Sequence, residues 1–288
     1  MAVSKLALRL YLAAREHLAM AGAQRLPGPV RKTKRTIGLL VERFLLPRNR
    51  VSVRVQSGLA QGLWVHARFP EEASYWQGQR ETMTEQIILA TVHQGSVVFD
   101  VGAHIGAVTF GTARLVGEGG RVVAFDADPE NVASLKDSCV LNQFEKRVRI
   151  VHAAVWSYST NQGLPFRRGA TRRSHGSVIA DGHPPLMADG ETITVPSTTL
   201  DAFTASEGPA PELIKIDVEG GEYEVLRGGE ALFSGRRPRI LVEVHHAEAL
   251  AKIGRWIEQF RYSAQWSIPQ EGFPRMLFAW PSESPPNP

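Results

Sequence analysis

The apolar positions of this chain change period along its length. Over residues 1–46 they recur at helical spacing. Leu6, Leu10, Ala14 and Leu18 stand four apart with Lys5 and Arg9 beside them. Ile37, Leu40, Val41, Phe44 and Leu45 follow at i, i+3, i+4, i+7 and i+8 until Pro47 stops the run. Both stretches read as amphipathic helices. From residue 51 the period drops to two: VSVRVQ alternates as a strand does, and GLAQGLWVHARF continues in short pieces separated by glycine, which predicts an opening hairpin over 51–70. A helix over 81–93, carried by Met83, Ile87, Ile88 and Ala90, closes at Gln94 and Gly95.

Strand and helix then alternate. VVFDV, a helix over 108–116, RVVAFD, a helix over 129–141 and RVRIVHAAV make the first half. A polar, turn-rich insertion occupies about 157–192. The second half runs ELIKID, a helix over 219–233, RILVEV, a helix over 247–260, YSAQWSI and MLFAW. Such alternation predicts an α/β fold with a mostly parallel, doubly wound sheet and helices on both faces. The last two strands have no helix between them and should pair antiparallel. The organisation is therefore a basic amphipathic segment (1–50), one domain (51–280) and a Pro-rich disordered tail (281–288).

Composition, 43% hydrophobic and 22% charged, leaves this globular reading unchanged. Charge alters it. The net +4 divides into +9 for residues 1–50, where eleven Lys and Arg stand against Glu16 and Glu42, and −5 for the rest. A basic arm on a mildly acidic body excludes a nucleic-acid-coating protein. Residues 1–46 have two readings: peripheral attachment to an anionic membrane, or a helical cap on the domain. Arg9, Arg15 and Glu16 interrupt the first apolar stretch too early for a secretory signal, and no run reaches membrane-spanning length. With Cys139 alone, no intrachain disulfide forms. The expectation is a cytoplasmic protein, at the inner face of a membrane if the arm attaches there.

In doubly wound sheets, ligands bind outside the carboxyl ends of the strands, near the point where strand order reverses. The first strand of the alternation ends in Asp100, followed by Gly102, Ala103 and Gly106 in a D-x-G-x-x-x-G pattern. A dinucleotide would bring its pyrophosphate here, and Asp100 would repel it. S-adenosylmethionine carries an ammonium and a sulfonium instead, which a carboxylate attracts directly or through water. Asp126 ends the neighbouring strand, 26 positions on, where a carboxylate accepts both ribose hydroxyls and rejects a 2′-phosphate. Ala154, after the next strand, is small enough for adenine to lie against backbone. Read singly, either Asp is as readily a helix-capping or loop acid.

The motifs YWQGQRE, FDVGAHIG, VVAFDADPEN, HAAVW, VPSTTLDAF, LIKIDVEGGEYEVLRGG and ILVEVH occur in this order over about residues 75–245. In them the chain resembles the FkbM-type methyltransferases, of the seven-stranded class I methyltransferase, Rossmann-like fold. The resemblance implies S-adenosylmethionine as cofactor and methylation of a hydroxyl on a sugar, lipid or polyketide-like metabolite. It also implies that Glu81 and Trp76 close over the cofactor and that Ser177, in HGSV, touches substrate. The chain departs from the family pattern at two positions: His104 stands where Asn is usual in the glycine loop, and Asp126-Ala127 replaces Glu-Pro. His, like Asn, is enriched at positive φ, and Asp keeps the ribose acceptor.

Methyl transfer from sulfonium to an alcohol needs alignment and a base or a metal. The candidates are Asp217 and Glu219 after ELIKI, and Glu243 with His245 on RILVEV and its end. His245 or Asp217 is the expected general base, with Glu243 orienting or polarising. The rival arrangement is a divalent cation on Asp217, Glu243 and His245. A structural reading makes Glu219 a helix cap and His246 a solvated loop residue. Arg167, Arg168, Arg172 and Arg173 either grip an anionic acceptor or belong to a solvated loop. The competing functions are an NAD-linked oxidoreductase and a catalytically inactive, membrane-associated adaptor. The expected partner is a small-molecule, glycan or lipid acceptor, not nucleic acid; the oligomeric state is left open.

Overall fold

The computed structural model describes residues 50–68, 72–77, 82–168, 176–179, 190–207, 209–267 and 272–282. The two helices predicted within 1–50 and the tail beyond 282 lie outside them. The first elements are a hairpin of β1 (Val51–Arg54) and β2 (Trp64–Ala67), antiparallel with Val51 opposite Ala67. Helices α1 (Ala73–Gln77) and α2 (Thr82–Thr91) follow.

The first alternating units are β3 (Val97–Val101), α3 (Ala107–Val116), β4 (Arg121–Asp126), α4 (Pro129–Asn142) and β5 (Val148–His152). The start of α4 is written in its sequence: the Asp128 side chain accepts from the Glu130 amide at 2.8 Å, and Pro129 opens the helix where its missing N–H costs nothing. After β6 (Ala154–Val155) the predicted insertion contains order. Strands β7 (Leu164–Arg167), β8 (Ser177–Val178) and β9 (Thr192–Val195) form an antiparallel sheet in the order β8-β7-β9. Its buried side chains Leu164, Phe166 and Val195 pack with Ala154 and Trp156 in a small separate core. A short β10 (Ser197–Thr198) pairs with β6.

The second half holds α5 (Leu200–Glu207), β11 (Leu213–Ile216), α6 (Glu222–Arg227), α7 (Glu230–Gly235), β12 (Arg239–Val244), α8 (Ala247–Gln259), β13 (Tyr262–Trp266) and β14 (Arg275–Pro281). The helix predicted over 219–233 is two helices, broken at Gly228-Gly229. A Cβ on Gly228 would lie 2.0 Å from the Trp156 carbonyl oxygen, so the chain bends around that strand end. Asp201 of α5 then accepts from the amides of Ala231 and Leu232 at 3.0 and 2.8 Å, capping α7 from a distance that local sequence does not reveal.

The seven-stranded sheet has the order β13-β14-β12-β11-β3-β4-β5, and β14 alone runs antiparallel to its neighbours. The last two strands pair antiparallel as predicted, with β14 inserted between β12 and β13. Alternate residues of each central strand enter different cores. Val98, Val122, Leu213 and Leu241 pack under α2, α3, α4 and the hairpin; Phe99, Phe125, Ile214 and Ile240 pack under α5 to α8. Strand order reverses between β3 and β11, so their carboxyl ends open the crevice in which doubly wound sheets bind ligands. Among the described residues, no helix is long and apolar enough to cross a membrane.

Candidate functional site

From the end of β3 the chain enters α3 through Gly102 (φ 82), Ala103, His104 (φ 51) and Gly106 (φ 88). The amides of Gly102 and Ala103 donate to the Phe125 carbonyl at 2.9 and 3.0 Å, folding the loop onto β4. A Cβ on Gly102 would stand 1.8 Å from the Asp217 carbonyl oxygen, so only glycine permits this approach of loop and β11 end. His104 does adopt a left-handed backbone, as the Asn-like position requires. Its amide donates to Asp126 Oδ2 at 2.7 Å, its ring lies 4.9 Å from that of Tyr75, and its Nε2 lies 3.5 Å from Glu72 Oε1. Glu72 also meets Arg50 at 3.0 Å. Burial alone would raise the Glu72 carboxyl, but His104 and Arg50 hold it down at about 2.

Asp126 closes β4 and is buried. Besides the His104 amide, it accepts from the Asp128 amide at 2.9 Å and from Asn131 Nδ2 at 3.2 Å. Burial lifts it to about 7 against those donors. The Asn131 oxygen in turn takes a 2.6 Å bond from Arg50 Nη2, so Arg50 braces both Glu72 and the Asp126 partner.

Asp100 departs from expectation. Its carboxylate is buried, accepts from Thr109 Oγ1 at 2.6 Å, faces Lys215 Nζ at 3.4 Å and does not line the cleft. Its position at the sheet's end turns it into the core face under α3, where Lys215 answers its charge. The cleft in which sequence placed its cofactor contact is thus lined without the Asp100 side chain.

Asp217 and Glu219 do line the cleft. His245, at the end of β12, presents Nε2 to both, 3.7 Å from Asp217 Oδ1 and 3.4 Å from Glu219 Oε2, while Nδ1 stands 2.7 Å from the fully buried Glu222. Burial would lower the imidazole's pKa; the Glu222 hydrogen bond, with the charges of Glu222, Glu219 and Asp217, outweighs it and lifts His245 to about 9. An imidazolium has no lone pair to accept a proton. Of the two expected bases, His245 is therefore the one already protonated near neutrality. Glu243 does not line the cleft; burial and the Asp217 charge raise its pKa. Glu219 precedes α6 with φ 54 and does not cap it, since Gly221 is the cap residue. His246 is no solvated loop residue: its Nδ1 accepts from the Ala249 amide at 3.1 Å, capping α8.

These groups surround one cleft at the carboxyl ends of β3, β4 and β11. Ala153, Ala154 and Trp156 form one wall, and Phe166 and Val178 of the inserted sheet close over it. Gly102, His104, Asp126, Ala154 and Asp217 thus meet at one place; Ala103 and Gly106 shape the loop behind them. Ser177 is buried without lining the cleft. Arg168 is already held by Asp128 at 2.9 Å and Glu130 at 2.7 Å, so the anion-gripping reading fails for it. Trp76 is buried beside the hairpin. Glu81, Arg172 and Arg173 lie outside the described residues. Pattern reading passed over Tyr75, Asn131, Lys215 and Glu222. Tyr75 and Asn131 stand inside quoted motifs, YWQGQRE and DADPEN. Lys215 and Glu222 carried no signal until the fold buried them against opposite charge.

The sequence pattern of the Methyltransferase FkbM domain matches residues 100–264 of this chain. The protein belongs to the FkbM methyltransferase family. A 31-O-demethyl-FK506 methyltransferase FkbM from Streptomyces tacrolimicus is 28% identical over 235 residues, which are 73% of this chain and 84% of that protein. The crystal structure of methyltransferase FkbM from Methylobacillus flagellatus KT is similar at 18% identity and a TM-score of 0.46, covering 64% of this chain and 43% of that one. A SAM-dependent O-methyltransferase from Thermotoga maritima matches at 14% identity and a TM-score of 0.43, over 83% of this chain and 80% of its own. The chain therefore spans less than half the length of the Methylobacillus protein. The FkbM domain begins at Asp100 and ends within β13, so it takes in the glycine loop, Asp126 and the Asp217–His245 rim.

Proposed function

We propose that this FkbM-family methyltransferase uses S-adenosylmethionine to methylate a hydroxyl group of a sugar, glycolipid or secondary-metabolite acceptor. The charge of the cleft carries the reading. Asp126, Asp217 and Glu219 line it, and among the described lining residues there is no Lys or Arg. That donor set suits an ammonium and a sulfonium and opposes a pyrophosphate, which counts against the NAD alternative. The printed name of the Streptomyces relative places its methyl transfer at an oxygen, which supports oxygen as the acceptor atom.

Bound there, S-adenosylmethionine supplies an electrophilic methyl group. Asp126 would accept from the ribose hydroxyls, and Ala154 leaves room for a flat base against the backbone. Asp217 would take the acceptor's proton as the acceptor oxygen forms its bond to carbon and the sulfur–carbon bond breaks. His245, cationic and held by Glu222, would orient Asp217 and Glu219. Calorimetric titration with S-adenosylhomocysteine tests the cofactor: binding is expected, and no heat at millimolar ligand would end this reading and leave the inactive adaptor. The acceptor is to be sought by mass spectrometry of cell extract incubated with the protein and methyl-labelled cofactor.

A second reading rests on one observation. Asp217, Glu219 and His245 offer ligand atoms that all lie within 4.8 Å of one another, with Glu219 in the place first given to Glu243. In that reading they hold a divalent cation that polarises the acceptor. His245 must then shed its proton, so Mn²⁺ titrated into the protein should release about one proton on binding at neutral pH, and should bind more tightly and release less as pH rises through about 9.

A further inference from the structure

We propose that Lys215 is a positioning residue that ties the Asp217 carboxylate to the cofactor loop, and that Asp100 is its counter-ion rather than a cofactor ligand. The inference rests on the reading of Asp217 as the base.

Lys215 lies in β11, whose four residues are all buried. A lysine there is costly unless its charge is answered and its three N–H groups find acceptors. Nζ donates to the Gly102 carbonyl at 3.2 Å and to Asp217 Oδ2 at 3.2 Å, and Asp100 Oδ1, at 3.4 Å, answers its charge as an ion pair without a hydrogen bond. Strand register makes this geometry, since Lys215 sits directly opposite Asp100 and both side chains point to the same face. The second Asp100 oxygen is taken by Thr109, and Asp100 does not line the cleft.

Through one ammonium, the backbone of the glycine loop and the side chain of the base are thus held to each other. Gly102 returns the contact from the other side, packed too close to the Asp217 carbonyl to admit a Cβ. The ionisable groups around Asp217 are Lys215, His245, Glu219 and Glu243.

The test needs no identified acceptor. Full-length wild type, Lys215→Met and the double variant Lys215→Met with Asp100→Asn are compared in melting temperature and, by calorimetry, in S-adenosylhomocysteine binding. Lys215→Met is expected to weaken that binding at least about fivefold. The double variant leaves no lone buried charge. It should regain the melting temperature lost by Lys215→Met and still bind S-adenosylhomocysteine as Lys215→Met does. Wild-type affinity in either variant, or failure of both variants to fold, overturns the positioning role. A further loss of about tenfold in binding on adding Asp100→Asn would make Asp100 a cofactor ligand and overturn its role as counter-ion. If Asp217→Asn keeps wild-type transfer of labelled methyl in cell extract, the base reading falls instead, whatever the binding measurements show.

Discussion

The amide of His104 donates to Asp126 Oδ2 across 2.7 Å, joining the glycine loop after β3 to the acid at the end of β4. The bond requires the left-handed backbone of His104 at φ 51, and it aims the loop at the carboxylate that would meet the ribose. His104, the departure from the family's usual Asn, is therefore tied to its best-defined acid through backbone. Its side chain makes a separate contact, with Glu72.

Asp126→Ala should weaken S-adenosylhomocysteine binding by about one to two orders of magnitude, because two hydrogen bonds between ribose hydroxyls and the carboxyl are lost. Calorimetry of the two proteins checks this. Equal affinities would remove Asp126 from the ribose role.

Gly102→Ala should destabilise the fold on the order of 3 kcal/mol. The new methyl meets the Asp217 carbonyl oxygen, and alanine is strained at φ 82. Urea denaturation measures the loss; a variant as stable as wild type would mean that the loop and the β11 end separate freely.

His245 should make stability depend on alkaline pH. Its pKa in the fold, about 9, lies above the ordinary 6.5. The contribution is then complete below about 6.5 and disappears as pH rises through about 9, with an upper bound of roughly 3 kcal/mol. The difference in melting temperature between wild type and His245→Gln, followed from about pH 6 to about pH 10, should shrink across that window. A constant difference would show that His245 stabilises by packing alone.

We also propose that the basic segment 1–46 contacts anionic membrane. Its deletion should reduce sedimentation with phosphatidylserine vesicles while leaving zwitterionic vesicles unaffected. Unchanged sedimentation would leave the segment as a cap on the domain.

Much of this protein is legible in one dimension because its signals are local. The buried run VVFDV, the Asp128-Pro129 helix start and the period-two hairpin each name their element, and the ordered motifs name the family. The break at Gly228-Gly229 was not legible, because the Trp156 carbonyl that forces it comes from another strand. The small sheet β8-β7-β9 was missed for a similar reason: its strands are short, and its apolar side chains Leu164, Phe166 and Val195 find their partners in Ala154 and Trp156, outside the sheet.

The sequence by itself determined the alternation of strand and helix, the glycine loop, the acids at the strand ends and membership of a methyltransferase family, since all of these follow from residue type and spacing. Only the tertiary structure decided what surrounds each acid. Asp100 and Asp126 look alike on paper, yet one faces Lys215 in the core and the other lines the cleft. Asp217 and His245 look equally able to take a proton until three carboxylates, outweighing burial, make His245 a cation. The physical reason is that charge and solvation depend on neighbours in space, which strand register and helix packing assemble from distant parts of the chain.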